Sequence, residues 1–310
     1  MSKMNYGGQA VIDGVMMRGL TRATVAVRLP DGSITSYHEA LNPTRRRTIE
    51  GIPFLRGVLL LWDSLNLGIR ALNVAAAAGL PAEERPSQGE SAGGVVVSLL
   101  FAFGLFFALP LLLANGLRYL GISGVTVVVI ENIFQLVIFI GYLLLIGRIP
   151  DIQRVYGYHG AEHKAINAYE AGLPLDVAHV RPQTLIHPRC GTSFLLVVVI
   201  LSIPIFAIFA DQPLLIKILS RLVLVPVVAG IAFELLRLTA ANYHRTWVRW
   251  VIAPSLALQR LTTREPEDGM IEVAIAALLP VLAADNALPA QYDTALAGGI
   301  DAPVKGFIIA

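Results

Sequence analysis

Between Arg154 and Gly172 the chain reads RVYGYHGAEHKAINAYEAG, which sets His159, Glu162 and His163 in an H-x-x-E-H array. On a helix, residues four apart share a face, so the two imidazoles can offer nitrogen to one metal ion. Glu162, beside the second histidine, is then placed to take a proton from metal-bound water. This is the inverted zincin pattern, with two histidines on zinc and a glutamate as general base. The plain alternative is a solvated polar helix on which Glu162 and Lys164 are surface charges. A second polar cluster weighs against it: His187-Pro-Arg189-Cys190-Gly-Thr-Ser193 closes the same loop just before the next apolar run.

Two histidines leave the third ligand open, and the candidates are His187, Cys190, Glu234 and Glu170. Cys190 would bind as thiolate, and zinc accepts N, S and O donors. Glu170 lies on the His163 face but about 10 Å further along the helix axis, so it ranks last. His187 and Cys190 rank above Glu234. The plain alternative for their segment is a tight turn that leads into a span and buries an inert cysteine.

The elements that must hold these groups are mostly apolar. Of 310 residues 55% are hydrophobic and 15% charged, with a mean hydropathy of +0.65, too apolar for an ordinary soluble domain. One cysteine excludes an intramolecular disulfide. A net charge of +2 and the lack of a basic patch interleaved with aromatics argue against nucleic acid as a partner. The first apolar stretch long enough to insert lies far from the N-terminus, so no signal peptide is expected.

Residues 1–50 read as a small β-rich module. Gln9 to Met17 is short and apolar, and Thr24 to Leu29 with Ser33 to His38 flank a Pro30-Asp31-Gly32 turn as a hairpin. One hairpin is marginal alone, so the module must pack on something else. Residues 51–80 form an amphipathic helix with Arg56, Asp63, Asn66, Arg70 and Asn73 on one stripe, expected to lie in the membrane interface rather than within a bundle. A polar linker, 81–94, leads to spans one and two within 95–147, then a 148–193 loop that carries both motifs, then spans three and four within 194–241. Residues 242–310 read as an interfacial helix, a cytoplasmic helix over Met270 to Ala284, and a frayed tail. The predicted fold is an α-helical multi-pass membrane protein of about four spans with an N-terminal β module, α+β overall.

Charge orients the spans. Ten of the 24 Lys and Arg precede the first span, five lie between Arg148 and Arg189, and five follow Tyr243. The positive-inside rule therefore puts both termini and the central loop in the cytoplasm, and the chain in the inner or plasma membrane.

Several separate stretches carry a resemblance: Gly7 to Gly19, Tyr158-His-Gly-Ala-Glu-His-Lys164, Tyr169-Glu-Ala-Gly172, His187 to Ser193, and Leu258-Gln-Arg-Leu-Thr-Thr-Arg-Glu-Pro266. Together they resemble the YqhQ-like family of bacterial membrane proteins, whose members are described as predicted metal-dependent enzymes without an established substrate. The resemblance implies metal ligands at His159, His163 and the His187 to Cys190 turn. Asp13 stands where the family is expected to carry Glu.

The function expected from these readings is a membrane-embedded hydrolase dependent on a divalent metal, zinc foremost, that attacks an amide, ester or phosphoester at the cytoplasmic interface. Glu162 is its base, and Asp13, Arg18 and Arg189 are candidate substrate-binding groups. A site at the inner interface suits lipid head groups or membrane-protein segments as substrates. Two alternatives remain: a scaffold with a structural metal, in which all ligands come from protein, and a transporter, suggested by Glu131, Gln135 and Glu234 inside spans.

Overall fold

A computed structural model describes residues 6–52, 55–85, 87–289 and 292. The residues before Tyr6 and the rest of the expected tail lie outside that set. Four strands, β1 (Gly7–Val11), β2 (Gly14–Arg18), β3 (Arg22–Arg28) and β4 (Ile34–Ala40), pair in sequence order as an antiparallel meander. The expected β3–β4 hairpin forms. Gly32 takes a left-handed φ of +85°, open to a residue without Cβ, and Asp31 accepts a hydrogen bond from the Ser33 amide at 2.9 Å. Gln9 to Met17, read from sequence as one apolar segment, is itself a hairpin that turns through Ile12 and Asp13. Asp13 sits at φ +49°, a region that a short polar side chain tolerates.

The α-helices that follow are α1 (Pro43–Glu50), α2 (Leu55–Ala77), α3 (Gln88–Phe103), α4 (Leu109–Gly116), α5 (Val125–Ile146) and α6 (Pro150–Glu170). They continue with α7 (Val177–Val180), α8 (Gly191–Ala207), α9 (Leu214–Ala241), α10 (Thr246–Thr262) and α11 (Asp268–Ala284). The sheet finds the packing it needs on both faces. Val11, Met16, Val25 and Val27 meet Leu67, Ala71 and Val74 of α2. Val15, Met17 and Ala26 share a core with Tyr158 and Ala161 of α6 and with Ile271, Ala274 and Leu278 of α11. Each large apolar side chain so buried contributes about 1.5–3 kcal/mol, which an isolated hairpin could not collect. Asp285, just past α11, accepts hydrogen bonds from the Leu20 and Thr21 amides at 2.8 and 2.9 Å. The first and last parts of the chain therefore form one body around α6.

Among the described residues, four segments can cross a membrane by length and composition: Arg56–Ala77, Gly89–Leu120, Val125–Ile146 and Leu214–Ala241. That is the make-up of a multi-pass membrane protein. The four differ from the expected set in two places. Residues 56–77, expected in the interface, are long and apolar enough to span, and their polar stripe is answered from within the protein. Arg56 pairs with Glu234 of α9, Asp63 with Arg18 of β2, and Arg70 with Glu39 of β4. Phe194 to Ala210, expected as span three, falls mostly in α8, a 17-residue helix at the short limit for a span. α2 and α9 cross at Gly57 and Gly230, where a Cβ on either residue would run into the other helix. Such small residues let two apolar helices approach closely.

Candidate metal centre

α6 starts at Pro150, whose fixed φ and missing N–H suit a first helical position. Its glycines and alanines let it lie flat against its neighbours, and Gly160 touches the Arg264 backbone with no room for a side chain. His159, Glu162 and His163 therefore sit on an unbroken helix, and the two imidazole rings stand 4.4 Å apart. The Nδ1 of His159 bonds the Thr262 carbonyl at 2.8 Å, and that of His163 bonds the Leu185 carbonyl. A carbonyl oxygen only accepts, so both Nδ1 atoms carry the proton and both Nε2 lone pairs are left for a metal.

Cys190 completes the cluster. It is the N-cap of α8, and its Sγ lies 3.4 Å from His159 Nε2. The ligand atoms of His159, His163 and Cys190 lie within 4.8 Å of one another. Ligands around a tetrahedral zinc with bonds near 2.0–2.3 Å stand about 3.5 Å apart, so the donor set fits with a small contraction. Glu162 Oε2 lies 3.9 Å from His159 Nε2 and 3.8 Å from His163 Nε2. A cavity of about 80 Å³ lies against these groups and is also lined by Tyr6, Gly8 and Arg189. Burial, with Tyr169 and Asp285 nearby, pushes the Tyr6 phenol up, so it stays protonated at neutral pH.

The other candidates are placed differently. His187 lines the same cavity, but its Nε2 faces the Glu170 carboxylate at 3.7 Å. Glu170, ranked last as a ligand, instead holds Arg189 and His187. Burial opposes its ionisation, yet the hydrogen bonds and charges of His187 and Arg189 prevail and bring its pKa down to about 2. Glu234 is engaged by both the Nε and an NH2 group of Arg56, the latter at 2.8 Å, and lines neither the metal cavity nor its neighbour. Asp13 pairs with Arg154 and lines neither cavity. Arg18 lines a second cavity beside the first, and Arg189 lines both.

Sequence reasoning missed Gln259 of α10. It is fully buried, accepts from the His187 amide at 2.9 Å and donates to the His187 carbonyl at 2.8 Å and to Ser193 Oγ at 3.0 Å. One side chain thus holds the turn that aims Cys190. A glutamine with no charge, set beside Arg260 near the end of the amphipathic run Trp250 to Leu261, was the available signal.

Gly8 closes the site from the sheet side. A Cβ there would stand 2.6 Å from the Met16 carbonyl oxygen and 2.8 Å from Glu162 Cγ, whereas one on Gly7 would meet nothing within 4 Å. Gly8→Ala should therefore lower stability by about 1–3 kcal/mol through overpacking. Gly7→Ala should be near neutral. Thermal midpoints of the two variants in detergent micelles check this, and equal midpoints would contradict the contact.

The fold and this cluster define a class: a mostly helical protein with four potential membrane-crossing helices, a small sheet and a candidate His, His, Cys metal centre at their junction. A family model described as "Protein of unknown function (DUF1385)" matches residues 52–284. The chain is 37% identical over 286 residues to the "Uncharacterized protein YqhQ" of Bacillus subtilis (strain 168), a match that covers 87% of this chain and 90% of that protein. The chain belongs to this DUF1385, YqhQ-like family. No solved structure matches it.

Proposed function

We propose that this is a membrane-embedded metal-dependent hydrolase with its site at the cytoplasmic face. The observation that carries the reading is the pair of Nδ1–H bonds to backbone carbonyls, which aim two Nε2 lone pairs at Cys190 Sγ and the Glu162 carboxylate. Tautomers fixed by backbone carbonyls are the outer-shell pattern of metal-binding histidines. Zinc, when bound, would supply Lewis acidity and lower the pKa of a coordinated water to about 7. Glu162 would take that water's proton and pass it to the leaving group of an amide, ester or phosphoester. Charge distribution supports cytoplasmic termini in an inner or plasma membrane, with the sheet and α6 on that side.

A second reading is a structural metal, and Glu162 gives it a footing. Its carboxylate lies close enough to both histidines to fill a fourth position, which would close the site. The transporter reading has less support, because Glu131 and Glu234 are each held by an arginine.

Elemental mass spectrometry of the purified protein tests the proposal. Wild type should carry about one equivalent of a divalent metal, and the His159→Ala, His163→Ala double variant less than a tenth of that. Equal metal content in the two proteins would end the reading.

A further inference from the structure

Beside the metal cavity lies a larger one of about 300 Å³, at the lower end for a small-molecule site. The two share Tyr6, Gly7, Gly8 and Arg189 as walls, so they adjoin along these residues. Their combined lining contains two cations, Arg18 and Arg189. The carboxylates that pair with these arginines, Asp63 and Glu170, are not on the wall of either cavity, so they fix the guanidinium groups from behind. The Nε–H of each arginine is buried and has no acceptor among the described residues. A planar guanidinium on a cavity wall matches the tetrahedral face of a phosphate or the fork of a carboxylate. Besides Gln9 and Ser64, the larger cavity has apolar walls: Met16 of β2, Leu60 and Leu67 of α2 and Phe233 of α9 line it, and both helices belong to segments able to cross a membrane.

We infer that this cavity binds the phosphoryl head group of a membrane lipid, held by Arg18 and Arg189, with its glycerol and first chain carbons against Leu60 and Phe233. The bond next to the phosphoryl group is thereby presented past Gly7 and Gly8 to Glu162. The catalytic consequence rests on the hydrolase reading. The binding does not.

The test uses the full-length protein in detergent micelles, stripped of metal so that no turnover occurs, with radiolabelled dioctanoyl phosphatidic acid as probe. Arg18→Gln and Arg189→Gln are each expected to weaken binding at least tenfold, the loss that follows from removing a charge-assisted hydrogen bond. Because Arg18→Gln leaves Asp63 without its partner, Arg18→Lys is measured beside it. That variant keeps the charge and loses the fork, and it should show a smaller loss at an unchanged thermal midpoint. Inorganic phosphate and dioctanoylglycerol should each compete at least tenfold more weakly than the lipid. Phosphate that competes equally well would assign the site to free phosphate, and equal competition by dioctanoylglycerol would remove the role of the arginines. Either overturns the inference, as does displacement by an unphosphorylated extended peptide with no loss in the arginine variants. Failure of lipid binding by stripped protein whose unstripped preparation carries the metal refutes this inference alone. Lipid binding in a protein that takes up no metal refutes the hydrolase reading alone.

Discussion

Glu162→Gln is expected to keep its equivalent of metal and to lose turnover by about 10²–10⁴-fold, the usual contribution of a general base. The side chain is 6% exposed and lies against Gly8, so the isosteric amide fits the same space. His159, His163 and Cys190 remain to hold the ion. The measurement has two parts: metal content of the purified variant, and hydrolysis of whichever ester, amide or phosphodiester reporter the wild type cleaves. Loss of metal in Glu162→Gln would identify the carboxylate as a fourth ligand and favour the scaffold. Retained metal with wild-type turnover would remove Glu162 from the chemistry.

The second large effect concerns the helical bundle. Arg221 of α9 donates to both carboxylate oxygens of Glu131 of α5, at 2.7–3.0 Å, and lies 4.3 Å from the Phe206 ring centre. The two side chains are 2% and 8% exposed. Two charges so buried are tolerable only together, because removing one leaves the other buried without its counter-charge. Glu131→Ala should therefore cost about 3–5 kcal/mol, and the double variant Glu131→Leu, Arg221→Met should regain most of it. Unfolding in mixed micelles, followed by circular dichroism, measures both. A single-variant cost below about 1 kcal/mol would mean that water reaches the pair.

Much of this was legible before any coordinates. Local spacing sufficed for the H-x-x-E-H face of α6, since a helical period of 3.6 puts i and i+4 together whatever surrounds them. Hairpin chemistry sufficed for Pro30-Asp31-Gly32. The same rules underrated Asp13-Gly14, because Ile12 before it reads as part of a strand. The stripe on α2 was visible as a stripe, but not what it meets, since Glu39, Arg18 and Glu234 come from three other elements.

The same division holds at the site. Residue types and short-range periodicity by themselves determined that two imidazoles and a carboxylate share a helical face, that the chain is apolar enough for several spans, and that a cysteine turn precedes one apolar helix. Only the tertiary structure placed the candidate third ligands, setting Cys190 beside His159 while His187 faces Glu170 and Glu234 pairs with Arg56. From α10 it also brought Gln259 to the His187 backbone, 72 residues away in sequence, and the Thr262 carbonyl to the His159 ring, 103 residues away. The physical reason is that the make-up of such a cluster depends on distances between side chains remote in sequence, set by the packing of α6 against α11 and the sheet and of α10 against α8, and no local pattern encodes those distances.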